Sequence, residues 1–331
     1  MSFGYADKEK LIVADENTLY EIDSMSKAFT GVAILLLEEQ GKLSLEDDIR
    51  EYLPWLELKY SGIYQGKQIN EPVKVTIKNF LYHTSGLPYE SIVGIAPSSD
   101  DMALENTVRT LTGTYLKEYP GEAYNYATIN YDVLGLVIEK VSGISYGEYI
   151  ENNLLMPLGL YDTYVDKEKA EKTGRLAKGY KTKFFCPRLT ESPEYRGSVP
   201  AGYYISSAAD MERWIRIQLG LIEVPEMYQR AIERSHISDT TVSPSYNCFY
   251  GAGWQVDMKG KEYMHSGINP NFASMIYIEP FRSYGICVLS NLSANTAEYI
   301  NSNVTDILKA ESLRCYNTRT PFFNPMMLFS L

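Results

Sequence analysis

The chain has 331 residues, of which 45% are hydrophobic and 22% are charged, and its formal net charge at pH 7 is −11. This length and composition are typical of a globular protein with one or two domains. Nucleic acids and anionic membranes are bound through clustered lysines and arginines, so the acidic balance disfavours both and favours a small-molecule or peptide substrate.

The first part of the chain predicts short strands followed by a long helix. Leu11–Val13 and Leu19–Ile22 predict extended structure. A helix is predicted from about Ser24 to Glu39, because its apolar residues recur at near-helical spacing. Gly41 follows at the place where a C-terminal cap belongs. A junction between strand and helix therefore falls at Ser24.

The middle of the chain, from about residue 54 to residue 200, is interrupted by Pro and Gly, which predicts helices joined by loops. Two of these helices are predicted over residues 100–117 and 130–141. A further helix is predicted to begin at Ser207, because Asp210 follows three residues later as in a capping box.

The last third changes to β-rich sequence. Residues 272–278 and 284–289 are predicted strands, and residues 279–283 between them predict a hairpin. A final helix is predicted to carry one apolar face formed by Ile300, Val304, Ile307 and Leu308.

Strands near both ends, with helices between them, predict an α/β domain interrupted by an insertion. The predicted α/β domain comprises residues 1–55 and 195–315, and residues 56–194 form the helical insertion. Residues 316–331 are an apolar tail, which is expected to cover a core edge or, in the alternative, to begin a membrane-associated segment. Residues 1–7 lack the basic and apolar regions of an export signal.

One short motif has the spacing of a nucleophile and its base. Ser24 and Lys27 are three residues apart at the start of the predicted helix, so the lysine amine can reach the serine hydroxyl. A serine is a poor nucleophile without a base, and desolvation favours the neutral amine that can act as one. This pattern is common by chance, so the rest of the chain must decide its meaning.

Three further segments resemble those of class C β-lactamase-like proteins, a family of penicillin-binding serine hydrolases. Asn79–Pro88 is similar to their LL-x-HTSGLP segment, and Pro120–Tyr126 with Tyr131–Gly135 is similar to their tyrosine segment. His265–Gly267 is similar to their third motif, KTG or HxG. The resemblance implies a β-lactamase/DD-peptidase-like α/β fold, with an antiparallel sheet flanked by helices and an all-α inserted domain.

The resemblance also implies a mechanism. Ser24 would attack a substrate carbonyl and become acylated, Lys27 would take its proton, and Tyr126 would relay a proton to the leaving group. The backbone N–H groups of Ser24 and Ile268 would form the oxyanion hole. No cofactor is implied, and the three dispersed histidines lack the spacing of a metal site.

Substrate contacts are implied for Glu21, Thr128, His265, Ser266 and Gly267. His265 replaces the lysine that is typical of β-lactamases, and a histidine only partly charged near neutrality binds a carboxylate less firmly. That difference favours the HxG branch, which contains D-amino-acid peptidases and esterases. Glu21 resembles a position in peptidases that remove an acylated D-asparagine.

Two positions depart from the family's usual residues. Thr128 stands where an asparagine amide is usual, and a threonine offers only a shorter hydroxyl. Asp23 stands where glycine is common. We interpret Asp23 as the N-cap of the helix, with an alternative in which its charge keeps Lys27 protonated.

The predicted function is hydrolysis through an acyl-enzyme on Ser24, by a peptidase or amidase that recognises D-amino acids. A class C-type β-lactamase or a promiscuous esterase is the first alternative. A non-catalytic penicillin-binding relative is the second, because of Thr128, Asp23 and the short sequence before the nucleophile. Members of the family usually work outside the cytoplasmic membrane or attached to it, which leaves the compartment of this chain open.

Overall fold

The computed structural model describes residues 1–184 and 186–309. Its strands are β1 (Tyr5–Asp7), β2 (Ile12–Val13), β3 (Leu19–Glu21), β4 (Lys59–Tyr64), β5 (Lys67–Pro72), β6 (Tyr115–Leu116), β7 (Thr163–Tyr164), β8 (Tyr180–Lys183), β9 (Cys186–Leu189), β10 (Ile205–Ser207), β11 (Cys248–Tyr250), β12 (Gln255–Asp257), β13 (Tyr263–Ile268), β14 (Ala273–Glu279), β15 (Tyr284–Ser290) and β16 (Leu292–Ser293). Its α-helices are α1 (Ser26–Glu39), α2 (Ile77–Leu81), α3 (Ala103–Arg109), α4 (Ile129–Ser142), α5 (Tyr146–Ile150), α6 (Met156–Leu158), α7 (Lys167–Lys172), α8 (Val199–Gly202), α9 (Ala208–Gln218), α10 (Glu226–Ser235) and α11 (Thr296–Leu308).

The main sheet is antiparallel and contains β11 to β15 in chain order. The predicted hairpin is confirmed as β14 and β15, with Ile276 opposite Cys287. Helices α9 and α11 pack against β15, and the approach of α9 is close, because a Cβ on Gly285 would lie 2.6 Å from Ile215 Cγ2. The predicted α/β fold, an antiparallel sheet flanked by helices, is therefore present.

Helix α1 is the central helix of the molecule. Every residue from Ser26 to Leu37 is buried, which its nearly continuous apolar sequence allows. It packs against α4, α8 and α10, and Gly31 lets it approach a neighbouring loop, since a Cβ there would lie 2.4 Å from the Ala252 carbonyl oxygen. The chain leaves the helix through Gly41 at a φ of +66°, as predicted. This helix fixes the position of the Ser24–Lys27 motif.

The inserted segment is less helical than the sequence predicted. Its helices include α4, which confirms the prediction over 130–141. The prediction of a single helix over residues 100–117 was wrong, because α3 ends at Arg109. Gly113 then turns the chain, at a φ of +78°, into strand β6. Strands β4 and β5 form a hairpin whose turn, Gln65 and Gly66, has positive φ at both residues. The all-α description is therefore incomplete, and the domain limits stay a prediction.

Two further helix predictions had different outcomes. Ser207 is the N-cap of α9, and its hydroxyl accepts from the Asp210 amide at 3.1 Å, as predicted. The predicted final helix is confirmed as α11, and its apolar residues Ile300, Ile307 and Leu308 are exposed. The buried face of α11 is instead formed by Ala297, Asn301 and Thr305. Asn301 donates to the Ile286 carbonyl at 3.3 Å, so the buried face of α11 is hydrogen-bonded to the sheet.

No helix within the described residues has the length and apolarity needed to cross a membrane. The predicted apolar tail, residues 316–331, lies outside the described residues.

Candidate active site

Ser24 lies on a short 3-10 turn, Asp23–Met25, that joins β3 to α1. The turn is held by Ser26, whose hydroxyl donates to the Asp23 carbonyl at 2.6 Å and accepts from the Tyr204 amide at 3.1 Å. Ser24 is half-buried and lines a cleft of about 900 Å³. The nucleophile predicted from the sequence is therefore accessible to a substrate.

Lys27 is fully buried beneath Ser24. Its Nζ lies 3.0 Å from the Ser24 Oγ and donates to the Ala201 carbonyl at 2.6 Å. One hydrogen bond therefore orients the amine, while the other places it against the nucleophile. This is the geometry that a general base needs.

Tyr126 completes the constellation from the loop before α4. Its hydroxyl donates to the Ser24 Oγ at 3.2 Å. His83 holds this loop: its ring lies 4.4 Å from the Tyr126 ring, its carbonyl accepts from the Asn125 amide, and its Nδ1 accepts from the Ala127 amide. The structure thus brings the three predicted catalytic side chains within hydrogen-bond distance.

The edge of β13 lies beside the nucleophile. A Cβ on Gly267 would lie 2.8 Å from the Ser24 backbone nitrogen, so glycine permits the strand to approach the start of the turn. Ser266, Gly267 and Ile268 line the same cleft as Ser24. The oxyanion hole formed by the amides of Ser24 and Ile268 stays a prediction that this placement suits.

His265 differs from the expectation of a partly charged side chain. It is buried, and burial, followed by the charge of Lys27, lowers its pKa to about 3. Its Nδ1 faces the Ser266 carbonyl at 2.7 Å, and its Nε2 faces the Tyr250 hydroxyl at 3.0 Å. The carbonyl can only accept, so we assign the proton to Nδ1. His265 is therefore neutral, and both ring nitrogens are occupied by the protein.

Asp23 is not the N-cap that the sequence predicted. Its side chain accepts no hydrogen bond from the turn, so it is not the N-cap. Burial, followed by the charge of Glu21, raises the pKa of its carboxyl well above the usual range. Burial and the charge of Glu21 thus oppose the ionised form of this carboxyl.

The remaining predicted substrate contacts are divided between two cavities. Thr128 is half-buried and lines the Ser24 cleft. Glu21 is buried and lines an adjoining cavity of about 520 Å³. It is linked to the cleft through Asn269, whose Nδ2 donates to the Glu21 Oε2 at 2.8 Å. Tyr195 and Tyr203 line both cavities and stack on each other with ring centroids 5.2 Å apart.

A family model described as Beta-lactamase matches residues 1–309. The chain belongs to the beta-lactamase family. The resemblance seen in the sequence is thus confirmed.

Individual relatives support this membership. The chain is 34% identical over 311 residues to Protein flp of Staphylococcus aureus (strain N315), covering 92% of this chain and 60% of that protein. It therefore spans about three fifths of the length of this curated relative. The octameric penicillin-binding protein homologue from Pyrococcus abyssi is similar with a TM-score of 0.78 at 29% identity, over 93% of this chain and 70% of that one. A class C beta-lactamase gives a TM-score of 0.74 at 20% identity, over 94% and 88%.

In this beta-lactamase-family chain, the geometry can carry a proton from nucleophile to leaving group. Lys27 can accept the Ser24 proton as the hydroxyl attacks a carbonyl, because its Nζ lies on the buried side of that oxygen. Tyr126 lies on the same oxygen and can pass a proton to the leaving nitrogen or oxygen. Water would later attack the acyl carbonyl, with the proton transfers running in the reverse direction, and would release the acyl group from Ser24.

Sequence reasoning missed two amides of the cleft. Asn269 donates to the Glu21 carboxylate and to the Gly202 carbonyl while lining the cleft. Asn125 lines the cleft beside Tyr126, and its buried Nδ2 has no hydrogen-bond partner among the described residues. Both adjoin family motifs, and that adjacency was the signal that could have identified them.

Proposed function

We propose that the chain hydrolyses amides or peptides with a D-amino acid on the acyl side, through an acyl-enzyme on Ser24. The observation that carries this proposal is the charge of the cleft. Among the described residues that line it, there is no lysine or arginine, and Glu298 is the only Asp or Glu. A substrate carboxylate, such as that of a penicillin, would therefore meet no cation on the cleft wall.

The chemistry of the walls supports a neutral or cationic substrate. Asn125, Gln255 and Asn269 offer amides that can bond to peptide groups. Aromatic rings offer apolar faces that also attract ammonium groups; they belong to Tyr89, Tyr124, Tyr195, Tyr203 and Tyr246. The preference for D-residues rests on the HxG motif at His265, as the resemblance implies.

The test begins with phosphonylation of the nucleophile by a fluorophosphonate, in which the serine oxygen bonds to phosphorus and fluoride leaves, followed by peptide mapping. We expect the adduct on Ser24, and Ser24→Ala should remain unlabelled with a nearly unchanged melting temperature. A label on another serine, or none, would contradict the mechanism and favour the non-catalytic alternative.

The second stage compares substrates. Paired D- and L-residue amides should differ by about tenfold or more in kcat/KM, which is ~1.4 kcal/mol in transition-state binding. Nitrocefin, which carries a carboxylate, should react slowly. Fast nitrocefin turnover would support a β-lactamase instead, and equal rates for D- and L-residues would support a broad esterase.

A further inference from the structure

Asp23 is a buried carboxyl directly before the nucleophile. Its side chain is fully buried, and its backbone has a φ of +52°, a conformation that aspartate tolerates better than most residues. An ionised carboxylate is costly to bury without a cation or several donors. Its Oδ1 has no hydrogen-bond partner among the described residues. The environment therefore suits an uncharged acid.

The hydrogen bonds of Ser274 identify where a proton lies. Its Oγ is 2.8 Å from the Ile22 carbonyl and 3.2 Å from the Asp23 Oδ2. A serine hydroxyl has one proton, and a carbonyl can only accept, so that proton occupies the shorter contact with Ile22. The contact with Asp23 is then a hydrogen bond only if Asp23 carries a proton and donates it. Burial raises the pKa of Asp23 in agreement with this count.

Asp23 lies between the nucleophile and the strand expected to form the oxyanion hole. A Cβ on Gly267 would lie 2.4 Å from the Asp23 Cβ and 2.8 Å from the Ser24 nitrogen. The bond from Asp23 to Ser274 therefore joins the Ser24 turn to β14, which pairs with β13 through Gly267 opposite Ser274. Through that link, the side chain can set the distance between Ser24 and the strand.

We propose that Asp23 is a positioning residue that acts as a neutral carboxylic acid, joining the Ser24 turn to the sheet, and that its ionisation slows acylation. When Asp23 loses its proton, the lone pairs of its Oδ2 face those of the Ser274 Oγ, and the two oxygens repel each other. Loss of the proton also places a negative charge beside the carbonyl oxygen that becomes an oxyanion. The inference rests on the proposed acyl-enzyme at Ser24.

The charged and titratable groups around Asp23 are few. Glu21 on β3 adds negative charge, Lys27 on α1 adds positive charge, and the Tyr203 hydroxyl follows α8. Strands β13 and β14 face it with Gly267 and Ser274, which do not titrate. Of these charged groups, Glu21 opposes the ionisation of Asp23 and Lys27 favours it, while burial opposes it most.

The test compares wild type with Asp23→Asn and Asp23→Ala from pH 5 to 10.5, using the rate of fluorophosphonate labelling. Asparagine is neutral and can donate to Ser274, so it should retain labelling at pH 7, whereas alanine should be slower by about tenfold. Wild type should lose rate at alkaline pH, by up to about tenfold per pH unit. Asp23→Asn should lack this loss. Wild type without the alkaline loss, or the same loss in Asp23→Asn, would overturn the inference.

Stability provides a readout that does not require catalysis. The unfolded chain releases the Asp23 proton near pH 3.9, while the native protein keeps it to a higher pH, so wild type should lose stability as pH rises above about 4. Asp23→Asn should therefore exceed wild type in urea midpoint, by a margin that grows with pH. A constant margin would show that Asp23 is ionised in the native protein, and would refute the inference even if no serine is labelled.

Asp132→Asn is the matched control. Asp132 is also fully buried, accepts from the Ser198 hydroxyl at 3.0 Å, and has a pKa that burial raises well above the usual range. It should show the same growth of stability with pH. Its labelling rate should follow the pH dependence of wild type, because Asp132 shares with Asp23 the charge of Lys27 but is bonded to Ser198 and Ala201 rather than to the Ser24 turn. If both variants changed the alkaline labelling rate alike, the effect would be general and the positioning role of Asp23 would be wrong.

Discussion

The site geometry predicts that Lys27 and Tyr126 act on Ser24 as one unit, which Lys27→Met and Tyr126→Phe can measure. Methionine keeps most of the side-chain length but removes the amine that lies 3.0 Å from the Ser24 Oγ. Phenylalanine keeps the ring but removes the hydroxyl that lies 3.2 Å from the same oxygen. Because both groups handle the same proton, each change should interrupt the same transfer.

The expected losses are large enough to separate the two models. One positioned acid–base group contributes about 10²–10⁴ in rate, or ~2.7–5.5 kcal/mol of barrier. Independent groups would slow the double variant by about 10⁴–10⁸, whereas a shared role should keep it within about tenfold of the slower single variant. Lys27→Met also removes the bond to the Ala201 carbonyl, which costs ~1–3 kcal/mol of stability.

The assay is the rate of fluorophosphonate labelling at fixed pH, followed by intact mass, with the free energy of unfolding measured for each variant. Tyr124→Phe is the control, because Tyr124 lines the same cleft, whereas the Ser24 oxygen is hydrogen-bonded by Lys27 and Tyr126. It should label at nearly the wild-type rate. Losses in log rate that add in the double variant would refute the shared role and leave one residue as packing support.

Two further predictions concern β13. A Cβ in Gly267→Ala would lie 2.8 Å from the Ser24 nitrogen, so labelling should fall by ~10²-fold or more, as for a lost oxyanion donor; a rate within about twofold of wild type would contradict the predicted hole. Burial lowers the pKa of His265 to about 3. As the pH falls below about 6.5, His265 therefore binds a proton in the unfolded chain before it does so in the native protein. The free energy of unfolding of wild type should then fall by up to ~1.4 kcal/mol per pH unit. His265→Gln should lose less in urea unfolding between pH 6.5 and 3, and equal slopes would show that His265 is charged.

What the sequence could predict about the site was decided by local geometry and by the motifs. Ser24 and Lys27 meet because they lie one helical turn apart, and that distance is fixed wherever α1 lies. Tyr126 followed from the resemblance, since only its flanking segment distinguishes it from 27 other tyrosines. The hairpin of β14 and β15 was equally local, because its two strands are adjacent along the chain.

Charge states could not be predicted, because they depend on burial by distant segments. Gly267 and Ser274 pack against Asp23 and exclude water from its carboxyl. His265 is buried beside Tyr250 and Lys27. The amino-acid sequence around either residue does not indicate that its side chain is buried. Lysine in place of His265 would consequently bury a second ammonium near Lys27, so it is a poor way to test carboxylate recognition.

The active site is assembled from segments that leave the ribosome far apart in time. Ser24 and Lys27 emerge early, whereas Ala201, which orients the amine, lies 174 residues beyond Lys27. Strand β13 follows later still. At a synthesis rate of about 5–20 residues per second, roughly 10–50 s separate the synthesis of Ser24 from that of the strand that completes its site. Until Ala201 has been synthesised, its carbonyl cannot orient the Lys27 amine. The Lys27 amine is therefore oriented by Ala201, and the cleft is lined by β13, only after most of the chain has been synthesised.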